Sequence, residues 1–237
     1  MPEVSLVVPV RNEGENVLPL IQEIRAALDG KFEYEVVYVD DGSGDDTALR
    51  LDEVKREFPR LRVVRHRACC GQSAAIATGV RAARAQWIAT LDGDGQNDPA
   101  DVPRLLSLQR ASGVQLVCGY RRKRQDTWLK RFSSRVANGI RGRLLKDNMP
   151  DTGCGLKVFS REAFLALPQF DHMHRFLPAL ILRNGGRITH VEVNHRPRAG
   201  GRSNYGVHNR LWVGIVDMLG VMWLQRRVKS PVIVERD

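Results

Sequence analysis

Four short apolar runs, each followed by a polar loop, constrain the fold of this chain most strongly. The runs begin at Val4, Tyr34, Leu61 and Trp87, and the stretches between them carry apolar residues at helical spacing. Alternation of strand and helix at intervals of about 20–30 residues is typical of a parallel sheet with helices on both faces. We therefore predict an α/β fold built on a mostly parallel sheet.

The loops after the first, second and fourth runs are acidic. They contain Glu13, the pair Asp40-Asp41, and the segment from Leu91 to Pro99. Parallel strands joined by right-handed crossovers all end at the same edge of the sheet, and that edge is where α/β proteins bind ligands. We expect the three acidic loops to converge on one crevice.

The segment Asp92-Gly93-Asp94 places two carboxylates one residue apart at the end of the fourth run. Such a pair offers hard oxygen ligands of the kind that Mg²⁺ or Mn²⁺ prefers, while the metal shares its remaining positions with substrate phosphates. Taken alone, the tripeptide is more often a turn with solvated acids. The expected convergence of three acidic loops favours a metal site.

Charge and cysteine content narrow the class of partner. The net charge is +10, from 37 Lys and Arg against 27 Asp and Glu. This favours an anionic partner, which could be nucleic acid, an anionic membrane or a phosphorylated substrate. The four cysteines include no CxxC pair, so we expect neither a zinc site nor a disulfide framework, and we expect a reducing, cytoplasmic location.

The second half of the chain is less regular. We predict a strand over 114–120 that ends at Arg121, a loop at 151–155 leading into another strand, a mostly apolar helix over 172–182, and a strand over 188–193. A flexible basic loop over 195–205 contains two adjacent glycines, which suits a mobile segment that grasps phosphate.

The C-terminal part contains an apolar segment, 211–224, with two tryptophans and basic residues directly after it. The segment is too short to span a bilayer, and the N-terminus shows no basic-then-apolar leader. A helix lying in a membrane interface and a C-terminal core or dimer helix both fit the pattern. We divide the chain into a main domain over 1–205 and a C-terminal appendage over 206–237.

Six segments, taken in order, resemble the motifs of family 2 glycosyltransferases of the GT-A fold. The resemblance is strongest to dolichol-phosphate mannose synthases and bacterial polyprenyl-phosphate glycosyltransferases, and it covers nearly the whole chain. The matching segments are residues 8–13, 39–43, 71–79, 91–96, 119–121 and 198–205. Departures are Gly93, where the family often has Ala or Ser, and Asn204, where it often has Lys.

The resemblance implies roles for individual residues. The residues implied to line the nucleotide-sugar pocket are Pro9, Arg11, Glu13, Val39, Asp41, Asp92, Gly93, Asp94, Arg121, Arg198 and Asn204. Those implied to hold the divalent cation are Asp92, Asp94 and Gln96. Those implied to lie near an acceptor phosphate are Arg131, Ser134 and Arg135, and the catalytic set is Asp94, Arg121 and Asp151.

The implied reaction is an inverting, metal-dependent transfer of a sugar from GDP-mannose or a UDP-sugar to a polyprenyl phosphate. The protein would then lie on the cytoplasmic face of a membrane, touching it through 206–229, as a monomer or a homo-oligomer. A saccharide or lipid-sugar hydroxyl is the alternative acceptor, and it would need a base, for which Asp151 is the candidate. A nucleic-acid-binding protein is the alternative of another class; an aromatic content of 6% and the absence of a nucleic-acid-binding motif argue against it.

Overall fold

The four apolar runs form neighbouring parallel strands of one sheet. This computed structural model describes residues 1–121, 139, 141–197 and 207–229. The strands are β1 (Val4–Val10), β2 (Tyr34–Asp40), β3 (Leu61–Arg65) and β4 (Trp87–Thr90). β1 lies between β2 and β4, and β3 pairs with the outer side of β2. The loops after β1, β2 and β4 therefore leave the sheet side by side, as the sequence predicts.

Helices cover both faces of this half of the sheet. They are α1 (Gly14–Leu28), α2 (Thr47–Glu57), α3 (Gln72–Ala82) and α4 (Val102–Ser112). α1, α2 and α4 share one apolar cluster with alternate strand residues such as Leu6 and Val36. α3 packs on the opposite face, against Val7, Val37 and Val39. Successive side chains of a strand point to opposite faces of the sheet, so each face has its own apolar core.

The second half of the sheet contains one strand that runs against the others. Among the described residues the strand order is β3-β2-β1-β4-β6-β5-β7, with β5 (Leu116–Tyr120), β6 (Lys157–Ser160) and β7 (Ile188–Glu192). β6 is antiparallel to both β4 and β5, whereas β7 is parallel to β5. β6 therefore begins at the edge where β4 ends, and its preceding loop reaches the crevice.

The predicted helix over 172–182 is interrupted in the structure. A 3₁₀ turn spans Met173–Arg175, and an α-helix follows over Leu177–Arg183. We number this helix α6, after the short helix α5 (Arg161–Leu165). Pro178 lies in the first turn of α6, where the helix needs no backbone N–H donor. Inside one continuous helix over 172–182, the same proline would remove a backbone hydrogen bond and interrupt the helix. The single-helix prediction is wrong for this reason.

The C-terminal helix α7 spans Val207–Arg226. Its inner face packs on the α3–α6 side of the core through Val221, which is fully buried, and through Met218 and Met222. The Asp217 carboxylate lies 3.1 Å from Nδ1 of the His172 ring. Its outer face exposes Trp212, Val216, Leu219 and Trp223. In the described part of the chain, no helix is long and apolar enough to cross a membrane.

Candidate active site

The three acidic loops converge on one pocket, as the sequence predicts. The pocket has a volume of about 350 Å³ and lies at the carboxyl ends of β1, β2 and β4. It extends sideways to the loop before β6 and to the 3₁₀ turn before α6. The predicted nucleotide-sugar residues that line it are Pro9, Arg11, Glu13, Asp41, Asp92, Gly93 and Asp94.

Reciprocal hydrogen bonds join the loops after β1 and β2. The backbone N–H of Asn12 donates to the Ser43 hydroxyl at 3.0 Å, and the Asn12 side-chain oxygen accepts from Gly44 N at 2.8 Å. The Glu13 N–H donates to the Thr47 hydroxyl at 2.9 Å. Asn12 has a positive φ of 56°, a conformation that asparagine tolerates better than most residues. These bonds fix the floor of the pocket beside Glu13.

Asp41 anchors the loop between β3 and α3. Its carboxylate accepts from the backbone N–H groups of Cys70 and Gly71, each at 2.8 Å, and lies 2.7 Å from the His66 ring. Burial raises the pKa of Asp41, but the hydrogen bonds from Cys70, His66 and their neighbours outweigh burial and lower it. Asp41 is therefore an ionised group that already has several donors.

The loop after β4 holds its two aspartates rigidly. The Asp92 N–H donates to the buried Asn97 side chain at 2.8 Å, and the Gln96 N–H donates to Asp94 at 3.1 Å. A side chain at position 93 would overlap Val10, so glycine is required there by the neighbouring strand. Packing against Val10 thus explains why this chain has Gly93 where the family often has Ala or Ser.

The Asp92 carboxylate fits tightly against the backbone of the loop before β6. Gly155 approaches it so closely that a Cβ at that position would overlap the carboxylate. Gln72, at the start of α3, donates to it at 2.9 Å. Burial raises the pKa of Asp92, and the negative charge of Asp94 raises it further. A divalent cation between the two carboxylates would offset both costs, so this pair fits the predicted Mg²⁺ or Mn²⁺.

Lys157 is a pocket residue that the sequence analysis missed. It opens β6, lines the pocket, is only 4% exposed, and donates to the carbonyl oxygen of Cys154. Its charge acts on Asp92 and lowers the pKa of that carboxyl. A lysine inside an otherwise apolar strand was the available signal, because a buried charge in a strand normally has a partner.

Arg121 and Asp151, both predicted to be catalytic, bind each other. The guanidinium donates to the two carboxylate oxygens at 2.6 and 3.0 Å, in a bidentate pair that is 11% and 6% exposed. Burial lowers the pKa of Arg121, but the Asp151 carboxylate raises it by more. Arg121 does not line the pocket in this arrangement, and the pair instead fixes the start of the loop that ends at Lys157.

Two further predicted residues lie elsewhere. The Val39 side chain is fully buried in the core against α3, and Val39 is absent from the pocket lining. Gln96 is absent from the pocket lining, and it touches Asp94 through its backbone. The predicted residues Arg131, Ser134, Arg135, Arg198 and Asn204 lie outside the described residues.

The base of the predicted basic loop is fastened to the aspartate loop. Arg196 N–H donates to the Gln96 carbonyl at 3.1 Å, and Asn97 forms a β-bridge with His195. The Arg196 guanidinium also pairs with Asp98 at 2.6 Å and with Glu23 at 2.7 Å. His195 and Arg196 are therefore tied to the aspartate loop.

A second group of candidate metal ligands lies beside the pocket. Among the described residues, ligand atoms of Asp41, His66 and Cys70 lie within 4.8 Å of one another. The Asp41 carboxylate already accepts hydrogen bonds from Cys70 and Gly71 and lies beside the His66 ring, whereas Asp94 is buried, Asp92 is partly buried, and both line the pocket. The cation site at Asp92 and Asp94 stays a prediction, and the cluster of Asp41, His66 and Cys70 is the alternative among the described residues.

Comparison with known proteins identifies the family. Residues 5–167 match the model of the family described as Glycosyl transferase family 2. This match covers more than half of the chain, and the chain belongs to that family. It is a glycosyltransferase with the GT-A fold that its motifs predict.

Curated relatives extend the match along the chain. Dodecaprenyl-phosphate galacturonate synthase of Rhizobium johnstonii is 37% identical over 234 residues, or 97% of this chain and 69% of the relative. Undecaprenyl-phosphate 4-deoxy-4-formamido-L-arabinose transferase of Edwardsiella ictaluri is 35% identical over 207 residues. That match spans 86% of this chain and 63% of the relative, which is therefore considerably longer.

Solved structures share the fold. Glucosyl-3-phosphoglycerate synthase from Mycobacterium tuberculosis, crystallised with Mn²⁺, uridine diphosphate and phosphoglyceric acid, superimposes with a TM-score of 0.71. The two chains are 20% identical, and the match covers 97% of this chain and 80% of that one. A second crystal structure of that enzyme, with Mg²⁺ and uridine diphosphate, gives a TM-score of 0.70.

The contact between Gly155 and Asp92 yields a test of the metal assignment. In Gly155→Ala the added methyl group displaces the Asp92 carboxylate, so we expect Mn²⁺ affinity to fall at least about tenfold in the presence of a nucleoside diphosphate. Electron paramagnetic resonance of free Mn²⁺ measures this. Gly44→Ala is the control, because a Cβ at Gly44 meets nothing within 4 Å. Equal affinity in Gly155→Ala and the unaltered chain would remove Asp92 from the metal site.

Proposed function

We propose that this glycosyltransferase transfers a sugar from a nucleotide sugar to a polyprenyl phosphate, with inversion and with a divalent cation, at the cytoplasmic surface of a membrane. The observation that carries the proposal is the pair of carboxylates Asp92 and Asp94, which lines a pocket that also contains the cations Arg11, Lys157 and Arg175. The names of both curated relatives, each a transferase that acts with a polyprenyl phosphate, support the acceptor.

The donor would lie along the pocket with its nucleoside over β1 and β2. Arg11 lines this end and forms no ion pair with any described residue, so its charge is available to a diphosphate. Asp92 and Asp94 would hold Mg²⁺ or Mn²⁺, which supplies Lewis-acid stabilisation of the departing nucleoside diphosphate. Arg198 and Asn204, which follow Arg196 in the sequence, would add contacts to the phosphates.

The state of Asp151 favours a phosphate acceptor over a hydroxyl. A hydroxyl nucleophile needs a general base, and both oxygens of Asp151 are engaged by Arg121. A lipid phosphate is already an anion at neutral pH, so it can attack the anomeric carbon without losing a proton to the protein. Arg131, Ser134 and Arg135 would then hold the acceptor phosphate and offset its repulsion from the donor.

Transfer to lipid is the direct test of this function. We expect radiolabel from a UDP- or GDP-sugar to enter the organic phase only when polyprenyl phosphate and Mn²⁺ or Mg²⁺ are both present. Asp94→Asn removes a metal ligand, so its rate should fall by about a thousandfold, given several kcal/mol of lost charge stabilisation.

Asp52→Asn is the matched control, because Asp52 is an exposed acid on α2 that pairs with Arg65. Its rate should equal that of the unaltered chain. Full activity in Asp94→Asn, or transfer to a saccharide but not to polyprenyl phosphate, would contradict the proposal. A salt-dependent shift of labelled RNA or DNA, without sugar transfer, would support the nucleic-acid alternative instead.

We propose further that α7 contacts the membrane. Trp212, Val216, Leu219 and Trp223 recur at helical spacing and are 57–69% exposed. Arg226, Arg227 and Lys229 follow this apolar stripe and are exposed. An exposed stripe with tryptophans and flanking cations suits the boundary between acyl chains and anionic head groups. A second copy of the chain is the other partner that could cover the stripe.

Vesicle flotation tests this contact. Replacing Leu219 and Trp223 together by Gln should weaken binding to phosphatidylglycerol-containing vesicles by at least about tenfold, because each large apolar side chain contributes roughly 1.5–3 kcal/mol. Leu49→Gln is the control, since Leu49 is 67% exposed on α2. Undiminished flotation of the double variant would overturn the membrane contact. A change in its oligomeric state instead would assign the stripe to a dimer.

A further inference from the structure

The order of the strands arranges the residues of the pocket in a line along the edge of the sheet. Asp41 follows β2, Arg11 follows β1, the two aspartates follow β4, and Lys157 begins β6, which is the next strand. A donor whose nucleoside lies over β1 and β2 and whose diphosphate lies at the aspartates must therefore extend its sugar toward β6. The wall at that end is formed by residues 152–155, Lys157, His174, Arg175 and Leu177.

This end of the pocket contains two cations without carboxylate partners in the described part of the chain. Lys157 is buried, and its hydrogen-bond acceptor is the neutral carbonyl of Cys154. Arg175 exposes its side chain, and neither residue lies within ion-pair distance of a described acid. By contrast, Arg121 in the adjoining loop is saturated by Asp151.

His174 adds no charge to this wall. Burial lowers the pKa of His174 well below its usual value, and the charges of Lys157 and Arg175 lower it further. Its Nδ1 lies 2.7 Å from the Ser73 hydroxyl. The positive potential at the far end of the pocket therefore comes from Lys157 and Arg175.

Charge balance indicates which kind of group Lys157 and Arg175 bind. The charge of Lys157 acts on Asp92. A divalent cation on Asp92 and Asp94 would offset the negative charge of that pair, which would leave Lys157 and Arg175 as positive groups on the sugar side. A neutral hexose offers neither side chain a counter-ion. A carboxylate on the sugar would accept charge-assisted hydrogen bonds from both side chains.

We infer that Lys157 and Arg175 form a carboxylate subsite, and that the sugar which this enzyme transfers is a sugar acid. The inference rests on the proposed function, because it takes the pocket to hold a nucleotide sugar. It assigns the two residues a role in choosing the donor. They bind the carboxylate of the sugar and take no part in breaking the glycosidic bond.

Matched donor pairs test the inference. UDP-galacturonate and UDP-galactose, UDP-glucuronate and UDP-glucose, and GDP-mannuronate and GDP-mannose each differ only in a carboxylate for a hydroxymethyl group. Isothermal titration with Mn²⁺ present should show, for the nucleotide that binds, at least about tenfold tighter binding of the acid than of its neutral partner. The preference should shrink as the salt concentration rises.

Substitutions of Arg175 and Lys157 test whether these side chains cause the preference for the acidic donor. Arg175→Gln changes an exposed side chain and should reduce the ratio of acid to neutral affinity toward one, and Lys157→Gln should do the same. Arg110→Gln is the control, because Arg110 is an exposed arginine that pairs with Glu3 away from the pocket. Its ratio should match that of the unaltered chain.

The outcomes separate this inference from the proposed function. Equal affinity within every donor pair overturns the carboxylate subsite and leaves nucleotide-sugar binding intact. Loss of both members of a pair to the same extent in Arg175→Gln also overturns it, since the side chain would then contact the diphosphate. Failure of all six donors to bind would overturn the proposed function, and this inference with it.

Discussion

Two carboxylates held in one pocket, Asp92 and Asp94, are the constraint on which the rest of the site depends. Burial and the negative charge of Asp94 raise the pKa of Asp92, so the surrounding groups have to hold the two carboxylates in place. Asn97 fixes the backbone, Gln72 donates to one carboxylate, and the missing side chain of Gly155 makes room for it. Elements far apart in sequence, α3 and the loop before β6, are thereby tied to the end of β4. A divalent cation would relieve the strain that this arrangement maintains.

The reversed strand β6 completes the site in a way that a purely parallel sheet would not. Because β6 runs against β4, its first residue and the loop before it lie at the ligand-binding edge. The bidentate pair of Arg121 with Asp151 anchors the far end of that loop. Lys157 and Gly155 consequently approach Asp92 from the side of β6. Under the proposed function, this reversal would place the sugar of the donor next to β6.

Much of this could be predicted from the sequence, and the failures have physical reasons. Local periodicity and turn residues predict β1 to β4 and their helices, and the parallel topology then places Asp41 and Asp92 together. The direction of β6 depends on tertiary pairing, which periodicity does not report, so Lys157 was missed. The ion pair of Arg121 with Asp151 joins residues 30 positions apart, so local sequence patterns do not predict it. Pro178 did carry a local signal for the break before α6, because proline favours the first helical turn.

We propose that the cation binds between Asp92 and Asp94 and not at the neighbouring cluster of Asp41, His66 and Cys70. Anomalous diffraction from crystals of the chain grown with Mn²⁺ and uridine diphosphate tests it most directly. The account predicts a manganese peak in contact with carboxylate oxygens of Asp92 and Asp94 and with the diphosphate. A peak at the Asp41 cluster, or bound nucleotide with no manganese at the aspartate pair, would contradict it.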